Sequence, residues 1–341
     1  METVRLGRTG LVVNKTGFGA LPVQRAGMEE AKRILRRAVE GGIDFFDTAR
    51  AYTDSEEKLG AALDPVLRKK LVLATKAKSA DGGALMESLH ASLKTLRTEY
   101  VDILQAHNPQ RMPAPDDGSG CYEALLEARR AGKIRFIGLT AHSVDVAIQA
   151  ARSALYDTVQ FPFSYLSGGR DLELPGICRE ADVGFLAMKG LGGGLIRNIP
   201  AAFAFMRSHE NVLPLWGIQK MEELEEFLAL GVAPPVWDAV MEADVEQDRR
   251  ELGAEFCRGC GYCMPCSVGI DISLVARMEL FLGRQPLQRV VEECGAKMAA
   301  AVDCTQCGEC RSRCPYGLDT PELVRRNTEF YQDYMRRHCP A

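Results

Sequence analysis

Residues 71–107 read LVLATKAKSADGGALMESLHASLKTLRTEYVDILQAH. The stretch opens on an apolar, partly β-branched run at 71–76 and closes on another at 101–107. Between them Leu85, Leu89, Leu93 and Leu96 recur every three or four residues, which gathers them on one face of a helix over 83–96. Neither run keeps a strict apolar–polar alternation, as befits a strand covered on both faces. A strand, a helix and a second such strand make the crossover that builds a parallel sheet.

Working outward, the unit recurs across residues 4–232. Strands are expected at 15–19, 43–48, 71–76, 101–107, 134–140, 158–163, 184–189 and 212–216, eight in all. Helical spacing lies between them, as at 28–40 through Ile34, Leu35 and Ala38. Eight units in about 230 residues suit a closed (β/α)8 TIM barrel better than an open doubly wound sheet. The opening VRLGRTGLVV (4–13) reads as a hairpin turning at Thr9-Gly10 ahead of the first barrel strand. Ala233-Pro234-Pro235 then interrupts the pattern, and a linking helix is expected at 236–252. From about Ala254 no strand is convincing, and helices are expected at 272–281 and 321–335. The expected organisation is a barrel over 1–232, a linker over 233–253 and a small, mostly α-helical domain over 254–341.

With 341 residues, 46% hydrophobic and 26% charged, the chain has ordinary globular composition and can bury a large core. A formal charge of −4 and the lack of a long basic block argue against nucleic acid as a partner. The N-terminal METVRLGRTG has no apolar export core, and no run approaches the roughly 20 apolar residues of a spanning helix. No membrane partner is expected. The expected compartment is a reducing cytoplasm, in which the twelve cysteines serve as thiols or metal ligands and not as disulfides.

Eight of those cysteines fall in two runs, Cys257-x2-Cys260-x2-Cys263-x2-Cys266 and Cys304-x2-Cys307-x2-Cys310-x3-Cys314-Pro315. The second has the spacing of the bacterial ferredoxin motif, in which three close thiolates hold one cubane and the fourth is displaced. Two runs supply ligands for two [4Fe–4S] clusters. Zinc is the alternative for any Cys-x2-Cys pair, but no histidine lies between Cys257 and Cys314, and each run already holds four thiols. The first run ends one residue short and lacks the proline, which makes Cys266 the weakest of the eight ligands. An exchange of the fourth cysteine between clusters is expected, clamping the two segments together. Cys121, Cys178, Cys294 and Cys339 stand alone and read as plain thiols.

In a (β/α)8 barrel the chemistry belongs at the C-terminal ends of the strands. Those ends carry Asp47, Lys76 and His107, and Tyr52 follows Asp47 by five residues on the loop leaving its strand. Each alone has a structural explanation, as a helix cap or a solvated lysine. Together they make a proton donor: an ammonium beside a phenol favours the phenolate, an aspartate holds the ammonium, and a histidine can orient a carbonyl.

FDTARAYTDSE, the ATK that follows and the strand ending in QAHN resemble the catalytic tetrad of the aldo-keto reductases, in a likeness that spans about residues 3–230 and includes LGRTGLVV and GFGALP. The whole chain resembles the bacterial branch of that superfamily that carries a C-terminal ferredoxin-like domain. The resemblance implies NAD(P)H as hydride donor, Tyr52 as general acid, and Asp47, Lys76 and His107 as its partners. It sets Gln160 against the nicotinamide carboxamide. Thr140-Ala141 replaces the usual Ser-Asn pair, and Met188 replaces the aromatic that stacks on nicotinamide. Gly190 and Gly192 of GLGGGLI could approach a pyrophosphate or simply form a turn. In the segment from Gly217, GIQKMEELEEF, Lys220 is the one cation, Glu223 stands for the usual arginine and Phe227 for the adenine-contacting asparagine. A carboxylate-rich segment is a poor host for the extra phosphate of NADP.

Two catalytic readings follow, beside a non-catalytic one, a degenerate barrel used as a redox sensor or subunit, against which the intact tetrad counts. One is an aldo-keto reductase that reduces a small carbonyl compound or oxidises an alcohol with NAD(P)H. The other is an iron–sulfur enzyme whose clusters, fed by an external electron carrier, deliver single electrons to a barrel-bound substrate while the tetrad supplies protons. No flavin fingerprint is present to bridge hydride and one-electron transfer.

Overall fold

The N-terminal hairpin explains which end of the barrel is left for chemistry. Strands β1 (Thr3–Arg5) and β2 (Val12–Asn14) pair antiparallel. Between them Gly7 takes φ +49°, and a Cβ there would lie 2.4 Å from the Asp182 carbonyl oxygen, so only glycine fits. Val4, Leu6 and Val13 form one buried cluster with Phe45, Ala74, Ile103, Leu186, Leu213 and Leu215 from the barrel strands. The hairpin thus plugs the end where those strands begin. The computed structural model describes residues 1–252, 256–259, 261–284, 287–314 and 316–338.

The eight barrel strands are β3 (Gly17–Gly19), β4 (Phe45–Asp47), β5 (Val72–Ala77), β6 (Val101–His107), β7 (Ile134–Thr140), β8 (Thr158–Pro162), β9 (Gly184–Met188) and β10 (Val212–Gly217). All pair in parallel, and β10 closes onto β3. Each expected strand is present. The second starts later than expected because the Asp44 carboxylate accepts from the Asn14 N–H (2.9 Å) and so serves the hairpin, leaving Phe45 to begin the ladder. The helix Met28–Glu40 buries Ala31, Ile34, Leu35 and Ala38. The helix Gly82–Thr95 buries Leu85, Leu89 and Leu93 and is capped by Asp81, whose carboxylate accepts from the Ala84 N–H. Asp102 near the start of β6 shows a purely structural carboxylate: it accepts from the Leu73 N–H and pairs with Arg68 at 2.9 Å and Arg135 at 2.6 Å.

The chain divides into two compact units, residues 1–191 with 198–242, and residues 192–197 with 243–341. The expected helix over 236–252 begins instead at Ala239, because Asp238 caps it through the Met241 N–H at 2.8 Å, and it ends at Leu252. Val236 and Trp237 before it are exposed. The expected domain start at 254 lies outside the described residues. Among the described residues of the second unit no strand occurs. Its helices include Ile272–Val275, Met278–Arg284, Leu287–Ala299 and Thr320–His338, around a core of Ile272, Val275, Met278, Leu282, Val290 and Val324. The single helix expected over 272–281 is two, separated at Ala276–Arg277, and the last helix outruns its expected span. No described helix is long and apolar enough to cross a membrane.

Candidate active site and cysteine runs

Asp47 is the last residue of β4, Lys76 the penultimate of β5 and His107 the last of β6, so strand ends alone bring them to one rim. The Lys76 ammonium donates to Asp47 Oδ2 at 2.5 Å and to the Thr48 carbonyl at 2.7 Å. Its Nζ lies 5.0 Å from the centroid of the Tyr52 ring. The His107 ring stands edge-on to Tyr52, with centroids 6.0 Å apart. The four tetrad residues are therefore gathered at one place.

Their loop is fastened on both sides. Thr48 and Ser55 share a hydroxyl–hydroxyl hydrogen bond at 2.9 Å, and Ser55 Oγ donates to the Ala20 carbonyl at 2.8 Å. Buried Glu56 accepts from Thr75 Oγ1 at 2.7 Å and from Arg50 at 2.8 Å, tying the loop after β4 to β5. Tyr52 is thus carried on a short turn whose ends are anchored to the barrel wall.

Lys76 and Asp47 are almost fully buried, at 1% and 3% exposure. Burial opposes the ammonium, but the Asp47 charge and the Tyr52 phenol outweigh it and hold Lys76 above its ordinary value. At His107 burial acts first and the Lys76 and Lys78 charges add to it, bringing the imidazole down to about 3. His107 is therefore neutral at physiological pH, a hydrogen-bonding group and not a cation. Its buried Nδ1 has no hydrogen-bond partner among the described residues.

Sequence reasoning missed Gln105. It precedes His107 by two residues, so strand alternation points both to the same side of the sheet. Its Nε2 donates to Asp47 Oδ1 at 3.0 Å, and Gln160 Nε2 reaches Asp47 Oδ2 at 3.3 Å. The carboxylate is thus held by an ammonium and two amides. The inward position next to a strand-end histidine was the signal that could have found Gln105.

The residues set aside for a dinucleotide divide. Gln160 lies beside the tetrad, and its buried Oε1 has no hydrogen-bond partner among the described residues, leaving an acceptor for a carboxamide N–H. Thr140 pairs with Gln160 across the β7–β8 ladder, and Met188 with Pro162 across β8–β9. Gly190 and Gly217 have packing reasons to be glycine: a Cβ would lie 2.8 Å from the Trp216 ring and 3.0 Å from Pro22, respectively. Gly192 has φ +60° and falls in the second unit. Glu223 accepts from the Gln219 and Lys220 N–H groups and caps the helix Met221–Val232. Phe227 is buried and stacks on Trp216 at 4.7 Å, and Trp216 stacks on Phe203 at 5.8 Å. The Lys220 segment also gains cations that sequence proximity did not show, Arg25 on Gln219 at 3.4 Å and Arg37 on Glu225 at 2.7 Å.

Of the cysteine ligands, Cys260 lies outside the described residues, as do Pro315 and Cys339. Cys266 lines one cavity together with Cys304, Cys307 and Cys310. Cys257 belongs to a separate apolar cluster with Ala276, Leu318 and Leu323, against which Cys314 packs. Cys266 thus sits with the second run and Cys314 with Cys257, while Cys263 packs in the larger core that also holds Cys310. The Gly259 N–H donates to Cys257 Sγ at 3.4 Å, and Arg258 lies over the Tyr316 ring at 4.3 Å, joining the two runs. None of the described cysteines forms a disulfide. Among the described residues no three His, Cys, Asp or Glu side chains close on a point that one metal ion could occupy. Cys178 is buried, and burial pushes its thiol up to about 12.

Comparison with known proteins bears on both regions. A family model described as Aldo/keto reductase family matches residues 15–230, and one described as 4Fe-4S dicluster domain matches residues 256–319. A relative from Glycine max named "Probable aldo-keto reductase 1" is 28% identical over 227 residues, covering 59% of this chain and 64% of the relative. "L-galactose dehydrogenase" from Arabidopsis thaliana is 31% identical over 214 residues, covering 58% and 67%. The chain thus spans a little under two thirds of the first of these relatives. The solved structure of an aldo-keto reductase from Klebsiella pneumoniae in complex with NADPH superposes with TM-score 0.62 at 22% identity, over 72% of this chain and 94% of that one, a likeness of fold. With the first family model covering most of its length, the chain belongs to the aldo/keto reductase family and carries a 4Fe-4S dicluster domain near its C-terminal end.

Proposed function

We propose that the barrel is an oxidoreductase that interconverts a small carbonyl compound and its alcohol, with Tyr52 as the acid–base group. The observation that carries this reading is the buried Lys76–Asp47 pair directly beneath the Tyr52 ring. A lysine held charged there favours departure of the phenolic proton toward a carbonyl oxygen. Neutral His107 can donate a hydrogen bond to the same oxygen without competing charge. Gln105 and Gln160 keep the Asp47 carboxylate turned to Lys76. A nicotinamide cofactor would supply the hydride when bound; the Klebsiella pneumoniae neighbour is in complex with NADPH, and the buried Gln160 Oε1, without a partner among the described residues, suits a carboxamide N–H. Replacing Gln160 with leucine should weaken NADH or NADPH binding about tenfold, close to the worth of one hydrogen bond. Fluorescence titration reads this, and unchanged affinity would remove Gln160 from the cofactor site.

The cysteine runs fit two cubanes. Four thiols from both runs around one cavity, and Cys257 packed with Cys314, support the exchange of the fourth ligand. A cubane carries its irons at separate corners, so its thiolates need not converge on one point. Clusters would pass electrons one at a time when present. Anaerobically purified protein should contain about eight irons and eight sulfides per chain, falling to about four of each when Cys304 and Cys307 both become serine. The same double variant separates the two functional readings. Retained turnover with nicotinamide supports the hydride route, whereas turnover lost with nicotinamide at unchanged dinucleotide affinity supports delivery of electrons through the clusters.

A further inference from the structure

The first cysteine run has a cation packed onto its backbone. Arg277 stands just before the helix Met278–Arg284, and its Nε donates to the Ser273 carbonyl at 2.8 Å. Cys257 Sγ lies 3.9 Å from that same carbonyl oxygen. On one side the guanidinium carbon sits 4.9 Å from the Phe281 ring centroid. On the other it meets Gly259, where a Cβ would lie 2.7 Å from Cζ and 2.8 and 2.9 Å from the two terminal nitrogens. Gly259 also has φ +63°. Position 259 therefore needs glycine twice, for its backbone conformation and to admit the arginine. The same residue sends its N–H to Cys257 Sγ. The second run carries two arginines of its own, Arg311 paired with Asp319 and Arg313 paired with Glu309.

We propose that Arg277 is a tuning residue that raises the reduction potential of the cluster held by the first run, leaving the other cluster nearly untouched. This rests on the reading that the two runs hold [4Fe–4S] clusters. Adding one electron makes a cluster more negative, and a fixed cation at the loop that wraps it stabilises the reduced form. Coulombic attraction weakens with distance, and Arg277 packs on Gly259 and on the Ser273 carbonyl beside Cys257, so the couple of the first run should respond most.

The test is an EPR-monitored redox titration of the holoprotein and of Arg277→Gln and Arg277→Lys. In Arg277→Gln one of the two couples should move to lower potential, with its reduced-to-oxidised ratio at fixed potential falling several-fold. A tenfold fall corresponds to about 59 mV for a one-electron couple. Arg277→Lys, which keeps the charge, should retain most of the wild-type value. Gly259→Ala, which displaces the guanidinium without removing it, should move the same couple the same way. Two unmoved couples, an upward shift, or equal shifts in both couples would overturn the proposal. So would loss of four irons in Arg277→Gln and Arg277→Lys alike, which would make the residue structural. Absence of two [4Fe–4S] signals from the wild-type protein would instead refute the underlying cluster reading, before any variant is compared.

Discussion

Changing Tyr52 to phenylalanine is expected to lower kcat by about 10²–10⁴-fold, the usual contribution of a positioned general acid. The substitution is clean because the ring's contacts survive it. Its perpendicular contact with His107 remains and its face still lies near the Lys76 ammonium. The phenolic hydroxyl is lost, and with it the hydrogen bond to Lys76, but the ring stays in place, so substrate KM should move little while kcat falls. A barrel that serves only as a binding platform would lose nothing. Steady-state kinetics with any accepted carbonyl substrate decides the matter, and a Tyr52→Phe enzyme with near-normal kcat sinks the acid–base assignment.

Replacing Lys76 with methionine should abolish activity and also destabilise the barrel by about 3–5 kcal/mol, the range for breaking a buried ion pair by removing one partner. Asp47 would then keep only the Gln105 and Gln160 amides against a burial that pushes its carboxyl up with no ammonium to oppose it. The sign of the pH dependence follows. A folded-state carboxyl raised above its unfolded value binds its proton more tightly in the native state, so stability is greatest below the unfolded value near 3.9 and is lost as pH rises through the folded one. The Lys76→Met protein should therefore weaken from about pH 4 upward relative to wild type. Adding Asp47→Leu should recover much of the stability without activity, since an apolar pair can replace a buried ionic one at little cost. Urea unfolding of the four proteins across pH measures this coupling, and additive single effects would mean that the pair does not hold the site together.

The barrel was legible because its strands are buried on both faces and read as apolar runs separated by helical stripes. The tetrad was legible because three of its members end strands and Tyr52 follows one of those ends closely. Gln105 escaped because a glutamine inside a strand looks like any polar residue until the carboxylate it faces is known. Arg25 and Arg37 escaped for a different reason, since they reach the Lys220 segment from nearly 200 residues away in sequence. The helix Leu287–Ala299 was not singled out because its buried stripe, Val290, Cys294 and Met298, runs through a cysteine that composition alone assigns to no face. The start of the helix at Ala239 turned on one cap, Asp238, that pattern reading placed inside it.

The two tryptophans of the chain occupy opposite optical environments. Trp216 is 1% exposed between two phenylalanine rings, whereas Trp237 is 40% exposed just before the helix Ala239–Leu252. The first should emit at short wavelength and resist acrylamide, and the second should emit to the red and be quenched readily. One emission spectrum therefore contains two separable reporters, a dry one for the barrel wall beside Gly190 and a wet one for the segment leading out of it. Their different responses to denaturant would show whether the barrel and that segment lose order together or in turn.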